Sequence, residues 1–323
     1  MLRIVTKNWL SLVVTFCAAF CFTLIIAQTT KTLIRPASDS TSNEEVTDSD
    51  DNTKTHTSYY PDLHSSFIKA PNAPSFINLQ ETVDNWYQSL SNSINVGVMI
   101  YDLDNQEVAA AINPDRVFNL ASVYKLFFAY AGYYEIDHGN VKGDEFFVTT
   151  EEKGPLNVYQ CLDLIIRESY NDCADPLRNS SEWGTYYDNF VEALGIKNTY
   201  NLGLTSTPRD LIELLKVIYV HEHLSDDSWS RLSDSMLNQP VTTDNWRQGI
   251  PAGFQTPLVY DKVGWSYDGN KWAIFNDVAL LDFTELGRHY AIVALTENFQ
   301  NLNKIHELAT NLEHAIILGS LGR

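Results

Sequence analysis

The stretch that decides the fold is Phe118–Gly139, FNLASVYKLFFAYAGYYEIDHG. From Ser122 to His138 it is apolar on nearly every side. A surface helix shows one apolar stripe, whereas a helix apolar all round is enclosed by its own domain. Gly139 then supplies the residue that ends such a helix in a left-handed turn. Two members of this segment carry chemistry, Ser122 and Lys125. At i and i+3 they share one helix face. A hydroxyl nucleophile needs a base within hydrogen-bond reach. Burial disfavours the ammonium form of lysine, so a neutral Lys125 suits that role. Ser122 also opens the helix, where unpaired backbone N–H groups favour developing negative charge. Its own N–H is suited to half of an oxyanion hole.

Outward from this helix the periodicities alternate. Phe76, Leu79, Val83, Trp86, Tyr87 and Leu90 recur at helical spacing and predict a helix over 76–91. Residues 95–103 and 107–112 read as strands joined by a tight turn at Asp104-Asn105. Helical patterns follow at about 158–168, 183–194, 208–221 and 228–237. Strands return at 258–265, 272–282 and 289–296. A last helix at about 301–318 carries Ile305, Leu308, Leu312 and Ile316 on one face. The order is helix, two strands, helices, three strands, helix. This predicts an α/β (α+β) fold, a five-stranded antiparallel sheet covered by the terminal helices, with an all-helical subdomain inserted in the middle.

Ser-x-x-Lys alone says little, and Ser66-Phe67-Ile68-Lys69 repeats it in front of Pro71 and Pro74 with no buried helix behind it. Ser122 has company in a particular order. Ser169-Tyr170-Asn171 follows an apolar helix where a loop is expected, and Lys262-Val263-Gly264 falls on a predicted strand. Ser-x-x-Lys, Ser-x-Asn and Lys-x-Gly on helix, loop and strand form a recurrent catalytic set.

With these motifs, residues 76–320 resemble the penicillin-recognising serine hydrolases, specifically the class A β-lactamase-like catalytic domain. STPRDLIELLKVIY (206–219) is similar to a later helix of that family, and IPAGF (250–254) with YDKVGW (260–265) to its lysine strand. The resemblance implies that Ser122 is acylated, that Lys125 is its general base, and that Ser169 relays a proton to the leaving nitrogen. Asn171 would hold the substrate amide and Lys125, and Lys262 would bind the substrate carboxylate and tune Ser169. Gly264 belongs to the strand motif, and the N–H groups of Ser122 and Trp265 would form the oxyanion hole. The implied ligand is a small-molecule β-lactam or a peptidoglycan peptide of the D-alanyl type, with no cofactor and no metal.

Two departures from the family pattern stand out. Val263 replaces the usual Thr or Ser, so a hydroxyl expected to bind the substrate carboxylate is missing. Class A enzymes also carry a loop Glu that activates the deacylating water. Here only KNTYNLGL (197–204) separates Leu194-Gly195-Ile196 from Thr205-Ser206-Thr207-Pro208, and it contains no Glu. Glu168 and Glu182 lie elsewhere in sequence. Three readings of activity follow: a hydrolase of β-lactams or D-alanyl amides, a D,D-peptidase or esterase, and an acylated sensor that does not turn over. Trp265, Tyr267 and Trp272 suit either a substrate wall or core packing.

The rest of the chain is read from composition. Its 323 residues hold 41 acids and 22 bases, a net charge of −19. Phosphate recognition rests on clustered Lys and Arg, so nucleic acid is excluded as a partner. Residues 1–28 read as a membrane anchor or signal segment. WLSLVVTFCAAFCFTLIIA (9–27) is uncharged and long enough to span hydrocarbon. A cleaved signal is the alternative, with a poor cleavage site at Ile25-Ile26-Ala27. Residues 29–75, with Asp39, Glu44, Glu45, Asp48, Asp50 and Asp51, read as a disordered acidic linker. Residues 76–323 then form the hydrolase domain, expected to be a monomer on the extracytoplasmic side of a membrane through a single-pass anchor, or secreted after cleavage. On that side Cys161 and Cys173 could be bridged or could be two buried thiols. His221-Glu222-His223 lacks the i, i+4 spacing of a helical zinc pair.

Overall fold

The computed structural model describes residues 60, 61, 63, 72–92, 94–239, 249–269, 271–299 and 301–322, of which 271 and 272 by backbone only. The apolar segment 9–27, the decoy Ser66–Lys69 motif and the Trp272 side chain lie outside this description. No helix among the described residues is long and apolar enough to cross a membrane.

Five strands form the central sheet: β1 (Asn95–Asp102), β2 (Glu107–Ile112), β7 (Leu258–Asp268), β8 (Lys271–Phe283) and β9 (Arg288–Glu297). Their order is β2-β1-β9-β8-β7, and every pairing is antiparallel. The predicted sheet is therefore present, with β7 on an edge. Between β2 and β7 lie β3 (Phe118–Asn119), α2 (Lys125–Asp137), the hairpin β4 (Phe146–Thr150) and β5 (Gly154–Asn157), α3 (Val158–Arg167), α4 (Asn171–Asn179), α5 (Ser181–Ala193), β6 (Thr205–Ser206), α6 (Pro208–Val220), α7 (Asp226–Leu237) and α8 (Ile250–Gly253). The chain opens with α1 (Gln80–Gln88) and closes with α9 (Asn303–Ser320).

Each sheet face has its own core, as alternation along a strand requires. On one face Val98, Ile100, Val263, Ala279 and Ile292 meet Val83 and Trp86 of α1 and Leu308, Leu312 and Ile316 of α9. On the other, Met99, Val278, Leu280 and Val293 meet the inserted helices. At their centre, α2 is buried at every position from Lys125 to Glu135. Its lack of a polar side in sequence has this cause.

Several boundaries differ from the sequence expectation. The first helix starts at Gln80, and residues 76–79 before it have no regular secondary structure. Ser122 does not sit on the α-helix. It lies in a 3-10 turn, Ala121–Tyr124, and α2 begins only at Lys125. The β4–β5 hairpin and α4 had no clear period in sequence, since both are short and partly exposed. Tyr60 and Leu63, placed by sequence in the acidic linker, are buried. The Tyr60 ring stacks on Tyr134 at 4.2 Å, and its hydroxyl donates to Glu135 Oε1 at 2.8 Å.

Gly97 sets how closely the helical part approaches the sheet. A Cβ there would lie 2.5 Å from Phe118 Cε2 and 2.8 Å from Pro208 Cγ. Its hydrogen atom lets β3 and the start of α6 lie flat on β1. Overpacking such a contact forces backbone or rotamer shifts. Gly97→Ala is expected to lower stability by about 1–3 kcal/mol, read by chemical denaturation.

Candidate active site

The site begins where β3 ends. Phe118 and Asn119 pair with Ser206 and Thr205. Leu120 N–H then donates to Leu204 O at 2.7 Å. Ala121 follows with φ of 46°, a left-handed conformation that L-residues adopt only when the surroundings hold it. Asn119 Oδ1 accepts from Ala121 N–H at 2.8 Å, which supplies part of that hold. The reversal turns the chain into the 3-10 turn that carries Ser122, one turn ahead of Lys125.

Lys125 is 1% exposed and fully engaged. Its Nζ donates to Ser169 O at 2.6 Å, to Asn171 Oδ1 at 2.7 Å and to Ser169 Oγ at 3.2 Å. Ser169 Oγ also accepts from Lys262 Nζ at 3.0 Å, and that amine donates to Val263 O at 2.8 Å. One serine hydroxyl thus stands between two lysine amines from distant parts of the chain. Burial pushes Lys125 down from 10.5 to about 6, and the neighbouring Lys262 charge pushes the same way. Asp175 opposes both. Burial likewise lowers Lys262 to about 7, against the opposing charges of Asp261 and Asp277. At neutral pH burial favours the free amine, whose two N–H groups serve Ser169 O and Asn171 Oδ1 and whose nitrogen can take a proton.

Of the residues named from sequence, the structure brings Ser169, Asn171, Lys125 and Lys262 into one hydrogen-bonded cluster. Ser169 lies on the loop after α3 with φ of 53°, and Asn171 is the first residue of α4. Gly264 faces the turn that carries Ser122. A Cβ there would meet Leu120 O at 2.5 Å and the Ser122 and Val123 nitrogens at 2.8 Å. Only glycine lets β7 lie against the backbone that presents Ser122. Trp265 follows directly, partly buried, with its ring 5.3 Å from that of Tyr267. Val263 is 1% exposed and belongs to the core under the terminal helices, so a valine there is a packing residue.

Sequence reasoning missed Asn276. It is buried beside Gly264 on β8, on the same face as Lys262. Its Nδ2 donates to Asn119 O at 2.7 Å, and its Oδ1 accepts from Thr296 N–H at 2.8 Å. It pins the strand end that precedes Ser122 to the sheet. A signal existed, since Asn276-Asp277 interrupts an otherwise apolar strand. Asp277 Oδ2 accepts from Ile250 N–H at 2.7 Å.

The short loop 197–204 stands opposite β3. Asp210 Oδ2 secures it by accepting from Asn198 N–H at 2.8 Å and Thr199 Oγ1 at 3.0 Å. The two glutamates named from sequence are used elsewhere. Glu168 pairs with Lys153 at 2.8 Å, and Glu182 accepts from Tyr186. Cys161 and Cys173, left open by the sequence, are joined as a disulfide. His221 caps α6 in a left-handed conformation and stacks on Trp229. Among the described residues no group of three or more His, Cys, Asp or Glu is placed to hold a metal.

A sequence profile described as the beta-lactamase enzyme family matches residues 78–317. The chain belongs to that family. A search of curated proteins finds no match. Among solved structures, a beta-lactamase from Chitinophaga pinensis superposes with a TM-score of 0.62 at 19% identity, covering 75% of this chain and 98% of that one. A point mutant of PBP-A, in an acyl-enzyme complex with penicillin G, matches with a TM-score of 0.62 at 22% identity, over 75% of this chain and 97% of that one. A class A beta-lactamase representative from Bacteroides cellulosilyticus matches at 18% identity with a TM-score of 0.62, over 73% of this chain and 96% of that one. At such identities the structural likeness speaks for the fold. The fold is thus that of the family, as the motifs implied.

If Ser122 is the acylated residue the motifs imply, removing the seat beneath it impairs acylation more than the fold. Gly264→Ala should slow acylation of Ser122 by at least tenfold while circular dichroism remains native, whereas Asn276→Ala should give a smaller loss in the same assay.

Proposed function

We propose that this chain is a membrane-anchored serine hydrolase that forms an acyl-enzyme at Ser122 on a β-lactam or a D-alanyl-type peptide and releases it slowly. The observation that carries this reading is Ser169 Oγ held between the Lys125 and Lys262 amines, next to the turn that bears Ser122. Neutral Lys125 takes the Ser122 proton as Oγ attacks the carbonyl carbon. The N–H groups of Ser122 and Trp265 receive the negative charge that develops on oxygen. As the C–N bond breaks, Ser169 Oγ passes a proton to the leaving nitrogen and is resupplied from a lysine ammonium. Water then cleaves the ester and restores Ser122. Asn171 orients the substrate amide.

Slow release rests on the loop 197–204. It is tied to the nucleophile strand through Leu204 O and brings no carboxylate there, so the second half-reaction lacks the general base found in class A enzymes. This favours a penicillin-binding peptidase or sensor over an efficient lactamase. In this reading the domain lies on the extracytoplasmic side of the cell membrane, with residues 9–27 as anchor and the acidic segment as tether.

The test is a fluorescent penicillin added to the full-length chain, followed by intact mass. Wild type should acquire one adduct that persists for minutes or longer, and Ser122→Ala none. An equal adduct on Ser122→Ala, or none on wild type, sinks the reading. Fast multiple turnover sinks the slow-release part. The acylation rate should climb as pH rises through about 6, because Lys125 loses its proton there. Lys262→Met removes a positive neighbour, so the midpoint should move to higher pH.

A further inference from the structure

We infer that the Cys161–Cys173 disulfide is a positioning element of the catalytic site, which holds Ser169 and Asn171 against Lys125. The inference goes beyond the acylation chemistry above, although one of its measurements rests on that reading.

The bond joins the middle of α3 to the first turn of α4, with Cα atoms 5.2 Å apart and a sequence separation of 12. Ser169 and Asn171 lie on the chain it encloses. Both sulfur-bearing residues are fully buried, so the bond is part of the core wall behind the loop. The loop needs such a hold for three reasons. First, Ser169 adopts a left-handed φ without being glycine, a conformation that relaxes unless its surroundings impose it. Second, α4 is a weak foundation: it has nine residues, carries Pro176 inside, and has no side-chain cap at its start. Third, the side-chain ties on the outer side come from residues with partial solvent access. Lys153 pairs with Glu168 and lies 5.3 Å from the Tyr170 ring centre, and Tyr170 Oη donates to Asp172. Ion pairs of that kind contribute little. Backbone bonds from Glu168 and Tyr170 N–H to Leu164 O fix only the turn itself. The disulfide ties the two arms to each other covalently, beside the core packing of Ala174 and Leu177.

What the loop delivers is specific. The Ser169 carbonyl and the Asn171 amide oxygen are two of the three acceptors for Lys125 Nζ. The groups facing that amine are Lys262 from β7, Asp175 from α4, the Tyr124 ring at 5.9 Å, and the Ser169 and Asn171 oxygens. Release of the loop admits water to Lys125, and desolvation is the largest cause of its low proton affinity. Loss of the bond therefore raises the lysine's proton affinity and takes the relay hydroxyl out of register. A crosslink that serves only global stability would do neither in a protein that stays folded.

The experiment uses the full-length chain and two double variants, C161A/C173A and C161V/C173A, the second keeping more of the apolar volume. Near-UV circular dichroism establishes that each is folded. The titration of Lys125 is followed through its 13Cε resonance in lysine-labelled protein, assigned with Lys125→Arg. Acylation by fluorescent penicillin is measured from pH 5 to 9. Expected are a Lys125 midpoint at least one pH unit higher than in wild type and acylation at least tenfold slower at pH 7. Should both variants misfold, the same titration on wild type treated with a phosphine reductant under native conditions gives the answer. An unchanged midpoint with acylation within threefold of wild type overturns the inference. So does peptide mapping that finds Cys161 and Cys173 as free thiols in the untreated protein. If wild type takes no penicillin yet the Lys125 midpoint moves as expected, the acylation reading fails and the positioning role stands.

Discussion

Two lysine amines buried against one serine hydroxyl are the constraint around which the rest of this molecule is arranged. An ammonium taken out of water is costly, and two of them within reach of one oxygen repel each other. Lys125 relieves the cost by giving up its proton and by donating to Ser169 and Asn171. Lys262 is balanced in part by Asp261 and Asp277, buried beneath the sheet. The arrangement exchanges stability for a base that is unprotonated near neutral pH. Such exchange is typical of sites that do chemistry.

Holding that cluster requires rigidity from elements far apart in sequence. The all-buried helix α2 fixes Lys125. The edge strand β7 fixes Lys262, and its Gly264 lets the strand touch the turn that carries Ser122. Asn276 and Asn119 pin the left-handed Ala121 that aims Ser122. The loop of Ser169 is the most exposed component, and it is the one that carries a covalent crosslink. Two of the left-handed non-glycine positions, Ala121 and Ser169, flank the cluster.

The same frame separates the two halves of the proposed reaction. Lys125, Ser169, Asn171 and Lys262 share one hydrogen-bonded cluster, and Gly264 lies against the turn that carries Ser122. The loop 197–204, opposite the nucleophile strand, holds itself through Asp210 and presents no carboxylate to a water. Family membership therefore speaks to fold and to the first step more directly than to the second.

Much of this was legible in the chain itself. Apolar periodicity determined the strands of the sheet, the terminal helices and the enclosed helix α2, because burial on one face or on all faces leaves a direct trace in residue order. The spacing and order of Ser122-x-x-Lys125, Ser169-x-Asn171 and Lys262-x-Gly264 determined the family, since each motif needs only local geometry. Tertiary structure alone decided the remainder. The 3-10 turn at Ser122 comes from the left-handed Ala121 and from β3 pairing with β6, a contact between segments over eighty residues apart. The role of Asn276, the joining of Cys161 to Cys173 and the docking of Tyr60 likewise depend on long-range partners. So does the low proton affinity of Lys125. Local propensity cannot encode a desolvation that arises only when α2, the Ser169 loop and β7 close on one another.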